Sequence, residues 1–208
     1  MGIDIQDVNN SKMLIEWMKD RRNLLVFVAG PTGSGKSTLV SNMAYYNGMV
    51  GVHPGRAVRQ NPRMIEILSK EDNPSAPRAT EDFIKQHILH RIDKSGNLSV
   101  IVDGVPRNLN QVTWCVDTAM NYERELVFVS VLVPYHVRVD RLSKRGQVGD
   151  KQLLHKKLEV DEKILPPIIE RAKEVVMNGR FGYFFEVYNR RNDDKLVGGI
   201  DGLFGRVI

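Results

Sequence analysis

The sequence reads Gly30-Pro31-Thr32-Gly33-Ser34-Gly35-Lys36-Ser37-Thr38 directly after an unbroken apolar run, Leu24 to Ala29. Such a run is typical of a strand that is buried on both faces of a parallel sheet. The glycines that follow, with Lys-Ser at the end, are the pattern of a loop whose backbone N–H groups surround phosphate oxygens at a helix N-terminus. Residues 30–38, called here the phosphate-binding loop, therefore predict a nucleoside triphosphate site. A glycine-rich turn that binds nothing is the alternative, and the strand before and helical pattern after disfavour it.

The same loop predicts the groups that handle the phosphates. Lys36 is placed to reach the β and γ phosphates, and the Ser37 hydroxyl is placed to help hold Mg²⁺. A second apolar run, Leu98 to Val102, ends at Asp103. A carboxylate at the carboxyl end of a parallel strand faces the ligand crevice and suits the ordering of Mg²⁺ and its waters. The other interpretation of Asp103 is a turn-forming residue before Gly104.

Two further runs complete the predicted sheet, Leu126 to Val133 and Tyr183 to Tyr188, with a long amphipathic segment, Asp150 to Met177, between them. Strands that alternate with helical stretches predict an α/β fold with three layers and a parallel central sheet. The apolar face of a first helix, formed by Met13, Leu14, Trp17 and Met18, is expected to pack on this core.

Two segments interrupt this alternation and are predicted as insertions at the rim of the sheet. Gly48 to Arg78 is rich in Gly, Pro, Asn and Arg, with one helical patch at Pro62 to Leu68. It is either a substrate-gripping arm or a long surface loop. Lys144 to Asp150 contains two glycines and is interpreted as a turn that serves as a short lid or as a plain loop.

Composition excludes several classes of protein. The chain is 42% hydrophobic and 26% charged, which is typical of globular domains and not of disordered or fibrous chains. Thirty Lys and Arg against 25 Asp and Glu leave a net charge of +5, yet no basic stripe or base-stacking motif points to nucleic acid. We find no run of about 20 apolar residues and no export signal in MGIDIQDVNN, and the one cysteine, Cys115, suits a reducing compartment. We expect one cytoplasmic domain over residues 1–208, monomeric and without a membrane partner.

Four short motifs then resemble one known family. Asp103-Gly104-Val105-Pro106-Arg107, with Gln111, is similar to the D-G-F-P-R-x-x-x-Q segment of the adenylate kinases, in the nucleoside monophosphate kinase family. Three other segments resemble the family's I-S-T-G-D-x-L-R, V-T-D-E-L and lid-opening V-P…D-R motifs: Val52 to Arg59, Ala79 to Phe83, and Val133-Pro134 with Asp140-Arg141-Leu142 and Arg145. The order and spacing of these motifs extend the resemblance from Leu24 over nearly the whole chain. The chain is therefore identified as a divergent member of this family with a very short lid.

The resemblance implies a fold and an activity. The fold is the three-layer P-loop kinase fold, with a monophosphate-binding arm at residues 48–90 and a reduced lid at 142–150. Residues 1–22 lie outside the resemblance and are expected to add an N-terminal helix. The activity is transfer of the γ-phosphoryl group of ATP, with Mg²⁺, to a nucleoside monophosphate, first of all AMP, which yields two ADP.

The resemblance also assigns residues to each ligand. Arg59 and Arg107 hold the phosphate of the acceptor, Arg141 covers the adenine of ATP, and Arg145 bridges the phosphates during transfer. The acceptor is further lined by Gly55, Ala79, Gly104 and Gln111, and Gln111 favours adenine. Physical chemistry agrees, because guanidinium groups offer a planar fork to phosphate oxygens and keep their charge. Lys36, Arg107, Arg141 and Arg145 are thus the predicted catalytic residues, and no general base is needed.

Four departures from the family pattern leave the function open. Arg56 stands in place of an Asp that helps to order magnesium waters, Pro54 replaces a Thr that touches adenine, and Val105 replaces a Phe. The arginines that follow the lid are replaced by residues around Gln147 and Lys157. We expect retained but less efficient transfer, with some ATP hydrolysis because a short lid excludes less water. A kinase for another small acceptor and a nucleotide-binding module without transfer are the alternatives.

Overall fold

The computed structural model describes residues 11–70, 76–144, 151–179 and 181–189. Within these ranges the strands are β1 (Leu24–Ala29), β2 (Val50–Val52), β3 (Val100–Asp103), β4 (Glu125–Leu132) and β5 (Tyr183–Tyr188). The helices in the same ranges are α1 (Ser11–Lys19), α2 (Lys36–Asn47), α3 (Pro54–Gln60), α4 (Pro62–Ser69), α5 (Ala76–Asp93), α6 (Leu109–Asn121), α7 (Tyr135–Lys144) and α8 (Lys151–Gly179). None of these helices combines the length and the apolar character that a membrane span requires.

All five strands are parallel, in the order β2-β3-β1-β4-β5. The central strand β1 pairs with β3 on one side, with Val28 opposite Asp103, and with β4 on the other. Strands β3 and β4 lie on opposite sides of β1, so the order of the strands reverses there. A crevice opens at the carboxyl ends of strands at such a point, and the phosphate-binding loop leaves β1 into it. The predicted three-layer α/β fold with a parallel sheet is confirmed.

The core lies on both faces of the sheet. Leu24, Val26 and Val28 of β1 pack against α1 and α2, whereas Leu25 and Phe27 pack against α5, α6 and α8. Every residue of β1 is buried because side chains of a strand alternate between two covered faces. This burial is why the sequence shows an unbroken apolar run there instead of alternation.

Gly48 to Arg78, predicted as an arm or a long surface loop, contains a strand and helices over most of its described length. Residues 50–52 form the edge strand β2, and α3 and α4 follow it. The predicted helical patch at 62–68 is confirmed by α4. The strand was missed because three residues, Val-Gly-Val, are too short to show periodicity. Helix α3 was missed because prolines suggest loops, but Pro54 occupies the first turn of this helix, where a missing N–H costs nothing.

The first helix packs on the core as its sequence predicts. Leu14 and Met18 are buried, and the Trp17 ring contacts Tyr183 and Phe185 edge-on at 4.6 and 4.9 Å. The Arg21 guanidinium lies 4.1 Å from the centre of the Trp17 ring. The side chain of Met13 is outside the described part of the chain. These contacts join α1 to β5, two elements at opposite ends of the sequence.

A Trp17→Ala change is therefore expected to lower the free energy of unfolding by about 2–4 kcal/mol, because it removes a large apolar side chain and two edge-on ring contacts. Urea denaturation followed by circular dichroism measures this. Tyr45→Ala is the matched control, because Tyr45 is 78% exposed and its loss is expected to change stability by less than about 0.5 kcal/mol. Equal stability changes in the two variants would contradict the assigned packing of α1.

Candidate active site

The phosphate-binding loop curls tightly between β1 and the first turn of α2. Gly30, Gly33 and Gly35 have φ values of 151°, 81° and 89°, in the region that favours glycine. A Cβ atom on Gly30 would lie 2.7 Å from the Val131 carbonyl oxygen, so only glycine fits beside β4. The loop thus brings backbone N–H groups to the N-terminus of α2, which is the geometry of an anion site.

Lys36, the first residue of α2, folds back over this loop. Its Nζ donates to the Pro31 carbonyl oxygen at 3.0 Å. Burial lowers the pKa of Lys36 to about 8, and nearby Arg107 and Arg138 favour the same direction, against the opposing charges of Asp103 and Asp161. The charge of Lys36 is thus only partly balanced by neighbouring carboxylates. A bound phosphate would stabilise the charged form of this lysine, so the site favours an anion.

Asp103 ends β3 beside Lys36 and carries one oxygen for which we find no protein partner. Its Oδ2 lies 3.2 Å from His53 Nδ1, whereas Oδ1 is buried and lacks a hydrogen-bond partner among the described residues. Burial alone would raise the pKa of Asp103, but the side chains of His53 and Ser37 and the charge of Lys36 outweigh it and lower that pKa. The ionised carboxylate next to the Ser37 hydroxyl fits a hard divalent cation, which prefers oxygen ligands.

Arg107 is held next to Lys36 by the backbone. Its Nε donates to the Gly104 carbonyl oxygen at 2.9 Å, and its backbone N–H donates to Gln111 Oε1 at 2.7 Å. A Cβ atom on Gly104 would lie 3.2 Å from Arg107 Nη2 and 3.7 Å from Lys36 Cε. The two cations thus flank the same glycine, and Gln111 is buried beneath them.

The opposite side of the loop is held by Arg141 and Asn189. Arg141 Nη1 donates to the Gly33 and Ser34 carbonyl oxygens at 3.3 and 3.4 Å, and Nη2 donates to Asn189 Oδ1 at 2.9 Å. Asn189 Nδ2 donates to the Ser34 carbonyl oxygen at 2.8 Å, and this asparagine is 3% exposed. The predicted donor-site residue Arg141 therefore lies at the loop, and the buried Asn189 supports the loop backbone at Ser34.

Sequence reasoning missed a second support of the loop. The Thr32 N–H donates to Asp161 Oδ2 at 2.6 Å, and Arg138 Nε donates to the Thr32 carbonyl oxygen at 3.1 Å. Arg138 is buried and forms ion pairs of 3.4 Å with Asp161 and with Glu162. No local pattern signals this arrangement, because Asp161 and Thr32 are 129 residues apart in the sequence.

A cleft, called here the transfer cleft, opens between the loop, α8 and the segment after β3. It is lined by Gly30, Thr32, Lys36, Gly104, Pro106, Arg107, Val160, Asp161, Ile164 and Leu165. The cations thus face a side of α8 that is apolar apart from Asp161, with Val160 and Ile164 each 45% exposed. The arrangement suits a phosphoryl group that is neutralised on one side and shielded from water on the other.

The remaining predicted acceptor residues lie outside this lining. Gly55 and Arg59 are on α3, where a Cβ atom on Gly55 would lie 3.5 Å from Arg59 Nη1, and Ala79 is in the first turn of α5. Helix α3 packs against α5, so the arm is one structural unit. Arg56 is exposed and Pro54 is buried.

Part of the predicted lid lies outside the described residues. Of residues 142–150, Leu142 is buried against Leu158, whereas Arg145 and Gln147 fall in the undescribed range. Lys157 belongs to α8, but its side chain is also outside the described part. The roles predicted for these residues stay predictions.

Comparisons with known proteins identify a family and several relatives of this chain. Residues 25–164 match the family model described as "AAA domain". A protein of Prochlorococcus marinus (strain MIT 9515) named adenylate kinase is 28% identical over 150 residues, which are 70% of this chain and 82% of that protein. A Drosophila melanogaster protein named GTP:AMP phosphotransferase, mitochondrial, is 28% identical over 121 residues, 57% of this chain and 54% of its own length. A Haloarcula marismortui adenylate kinase is 28% identical over 134 residues, 62% of this chain and 60% of that relative.

Proposed function

We propose that this chain, which belongs to the AAA domain family and is an adenylate-kinase-like nucleotide kinase, transfers the γ-phosphoryl group of ATP to a nucleoside monophosphate, first of all AMP. The observation that carries the proposal is the pair of cations at Gly104. Lys36 comes from the donor loop and Arg107 from the predicted acceptor side, and both reach the same glycine. Charge that develops on a phosphoryl group between donor and acceptor is stabilised there.

Each ligand has residues that would bind it. Backbone N–H groups at the N-terminus of α2 and the Lys36 side chain would bind the triphosphate, and Arg59 and Arg107 would hold the phosphate of the acceptor. Ser37 and Asp103 would hold Mg²⁺, which when bound neutralises phosphate charge. Asp161 and Arg138 fix both backbone polar groups of Thr32, so the loop is preorganised before ATP arrives.

The transfer step requires positioning more than proton chemistry. An oxygen of the acceptor phosphate attacks the γ-phosphorus, a new P–O bond forms, and the bond to the β–γ bridging oxygen breaks to release ADP. A phosphate monoester has its second pKa at about 6, so the attacking oxygen is already deprotonated at neutral pH. The apolar side chains of α8 shield the cleft from competing water.

A coupled assay of ADP formation tests the proposal with ATP, Mg²⁺ and, in separate reactions, AMP, dAMP, GMP, CMP, UMP or no acceptor. We expect the fastest turnover with AMP and a slow but measurable rate with ATP alone, because the short lid excludes less water. A Lys36→Met preparation provides the blank for contaminating kinases. Absence of turnover with every monophosphate would refute the proposal.

A second candidate acceptor, a small molecule other than a nucleotide, is favoured by the arm. Pro54 is buried where the family carries a Thr that touches adenine, and exposed Arg56 reverses the charge of the family's Asp. The same assay with non-nucleotide phosphate esters and alcohols separates the candidates, because turnover with only one of them identifies the acceptor class. Tight ATP binding by calorimetry without turnover of any acceptor would instead identify a nucleotide-binding module.

We also propose that the protein is a monomer in the cytoplasm, a reducing compartment that suits a chain with one cysteine. Cys115 is buried, and burial raises the pKa of its thiol well above the usual value, so it serves as an unreactive packing residue. Size-exclusion chromatography with light scattering tests the oligomeric state.

A further inference from the structure

His53 occupies a position that links three parts of the site. It directly precedes α3, and its side chain is 18% exposed. Nδ1 lies 3.2 Å from Asp103 Oδ2, and Nε2 lies 3.4 Å from Ser41 Oγ on α2. The imidazole therefore spans the end of β3, the donor helix and the start of the acceptor arm.

A structural role limited to α3 does not explain this side chain. The helix uses the backbone of His53, whose carbonyl oxygen accepts from the Arg56 and Ala57 N–H groups at 3.0 and 3.1 Å. The side chain makes no capping hydrogen bond to the helix. Any small residue would serve the backbone role, so the imidazole is used elsewhere.

The contact with His53 determines how the Asp103 carboxylate is presented. It occupies Oδ2 and stops rotation of the carboxylate, so that Oδ1 stays buried without a partner in the described part of the chain. This free oxygen belongs to the carboxylate that would meet Mg²⁺ together with Ser37. Groups that orient a metal-binding carboxylate in this way tune metal affinity without touching the metal.

We propose that His53 is a positioning residue that holds Asp103 in the orientation required for Mg²⁺ when ATP is bound. The inference rests on the proposed function in that it takes Mg²⁺ and ATP as the ligands. It adds a link between the two substrates, because the same residue begins the helix that carries Gly55 and Arg59. The metal carboxylate and the acceptor arm are thus joined through one side chain.

Two substitutions separate the two contacts of the imidazole. In His53→Asn the amide nitrogen takes the place of Nδ1 and retains the contact with Asp103. In His53→Gln the amide nitrogen takes the place of Nε2 and retains only the contact with Ser41. His53→Ala removes both contacts, and thermal melting of all three variants verifies that they fold.

The experiment is a calorimetric titration of Mg²⁺ into each protein saturated with ATP, with the same titration into ATP alone subtracted. We expect His53→Asn to bind Mg²⁺ within about threefold of wild type, whereas His53→Gln and His53→Ala bind it at least about tenfold more weakly. ATP affinity measured in EDTA is expected to be unchanged in all variants. Wild-type affinity for Mg²⁺ in His53→Gln, or equal losses in the Asn and Gln variants, would overturn the assignment.

The same measurements distinguish failure of this inference from failure of the proposed function. If the wild-type protein binds ATP without any effect of Mg²⁺, the proposed function is contradicted. If wild type shows the effect and the variants do not separate as expected, only the role of His53 is contradicted. Neither result depends on knowing the acceptor, because no transfer is measured.

Discussion

A Lys36→Met variant is expected to lose phosphoryl transfer by at least about 10³-fold, since it removes the cation that the proposed function places nearest the transferred group. The same variant is expected to be more stable than wild type when no ligand is bound. Burial lowers the pKa of Lys36 to about 8, which means that the folded protein holds this charge at a cost near neutral pH. At about 1.4 kcal/mol per pKa unit, the lowering from 10.5 to about 8 means that the variant should gain roughly 3 kcal/mol at pH 7.

The lowered pKa of Lys36 also predicts how the stability difference between variant and wild type changes with pH. The ordinary lysine pKa of 10.5 applies to the unfolded chain, so between about pH 8 and pH 10.5 the unfolded state binds more protons than the folded state. The destabilisation caused by Lys36 therefore decreases as the pH rises through that window, and the difference in the free energy of unfolding between variant and wild type becomes smaller. Urea denaturation at neutral pH and near pH 10 measures both values.

Lys70→Met is the matched control, because Lys70 is exposed and pairs only with Glu66 one helical turn earlier among the contacts described. It is expected to leave transfer unchanged and stability within about 0.5 kcal/mol. A Lys36→Met protein that is less stable than wild type at pH 7, or a gap that widens with pH, would contradict the assigned burial of this lysine.

An Arg107→Ala variant is expected to lower kcat by about 10³-fold while ATP binding changes less than about threefold. Arg107 is not part of the phosphate-binding loop, so the donor site remains intact without it. Its guanidinium is fixed by Gly104 close to Lys36, which is where the proposed function places the phosphoryl group during transfer. Steady-state kinetics gives the first value and calorimetry with ATP gives the second.

Two further variants show whether the loss of kcat is specific to the Arg107 guanidinium. Arg107→Lys retains the charge but not the planar fork, and a partial recovery of kcat is expected. Arg171→Ala, at an exposed arginine of α8 that pairs with Glu174, is expected to behave as wild type. An equal loss of transfer and of ATP affinity in Arg107→Ala would show that this arginine belongs to the donor site instead.

Much of the sheet was predictable because its signals are local. The run Leu24 to Ala29 coincides with β1, and Tyr183 to Tyr188 coincides with β5. Residues 50–52 carried no such signal, since a three-residue edge strand is defined by its pairing with β3 and not by its own pattern. His53 lies inside the segment Val52 to Arg59, but it has no role predicted from the sequence, because that role depends on Asp103, fifty positions away.

The sequence by itself determined the phosphate-binding loop, the apolar strands and hence the class of fold, because glycine conformations, helix termini and burial on two faces are properties of neighbouring residues. Only the tertiary structure decided what surrounds the loop. It places Asp161, Arg138 and Asn189 on the backbone of residues 32–34, and His53 on Asp103. These contacts join residues distant in the chain, and hydrogen bonds of that kind follow from the packing of helices on the sheet, which no local pattern encodes.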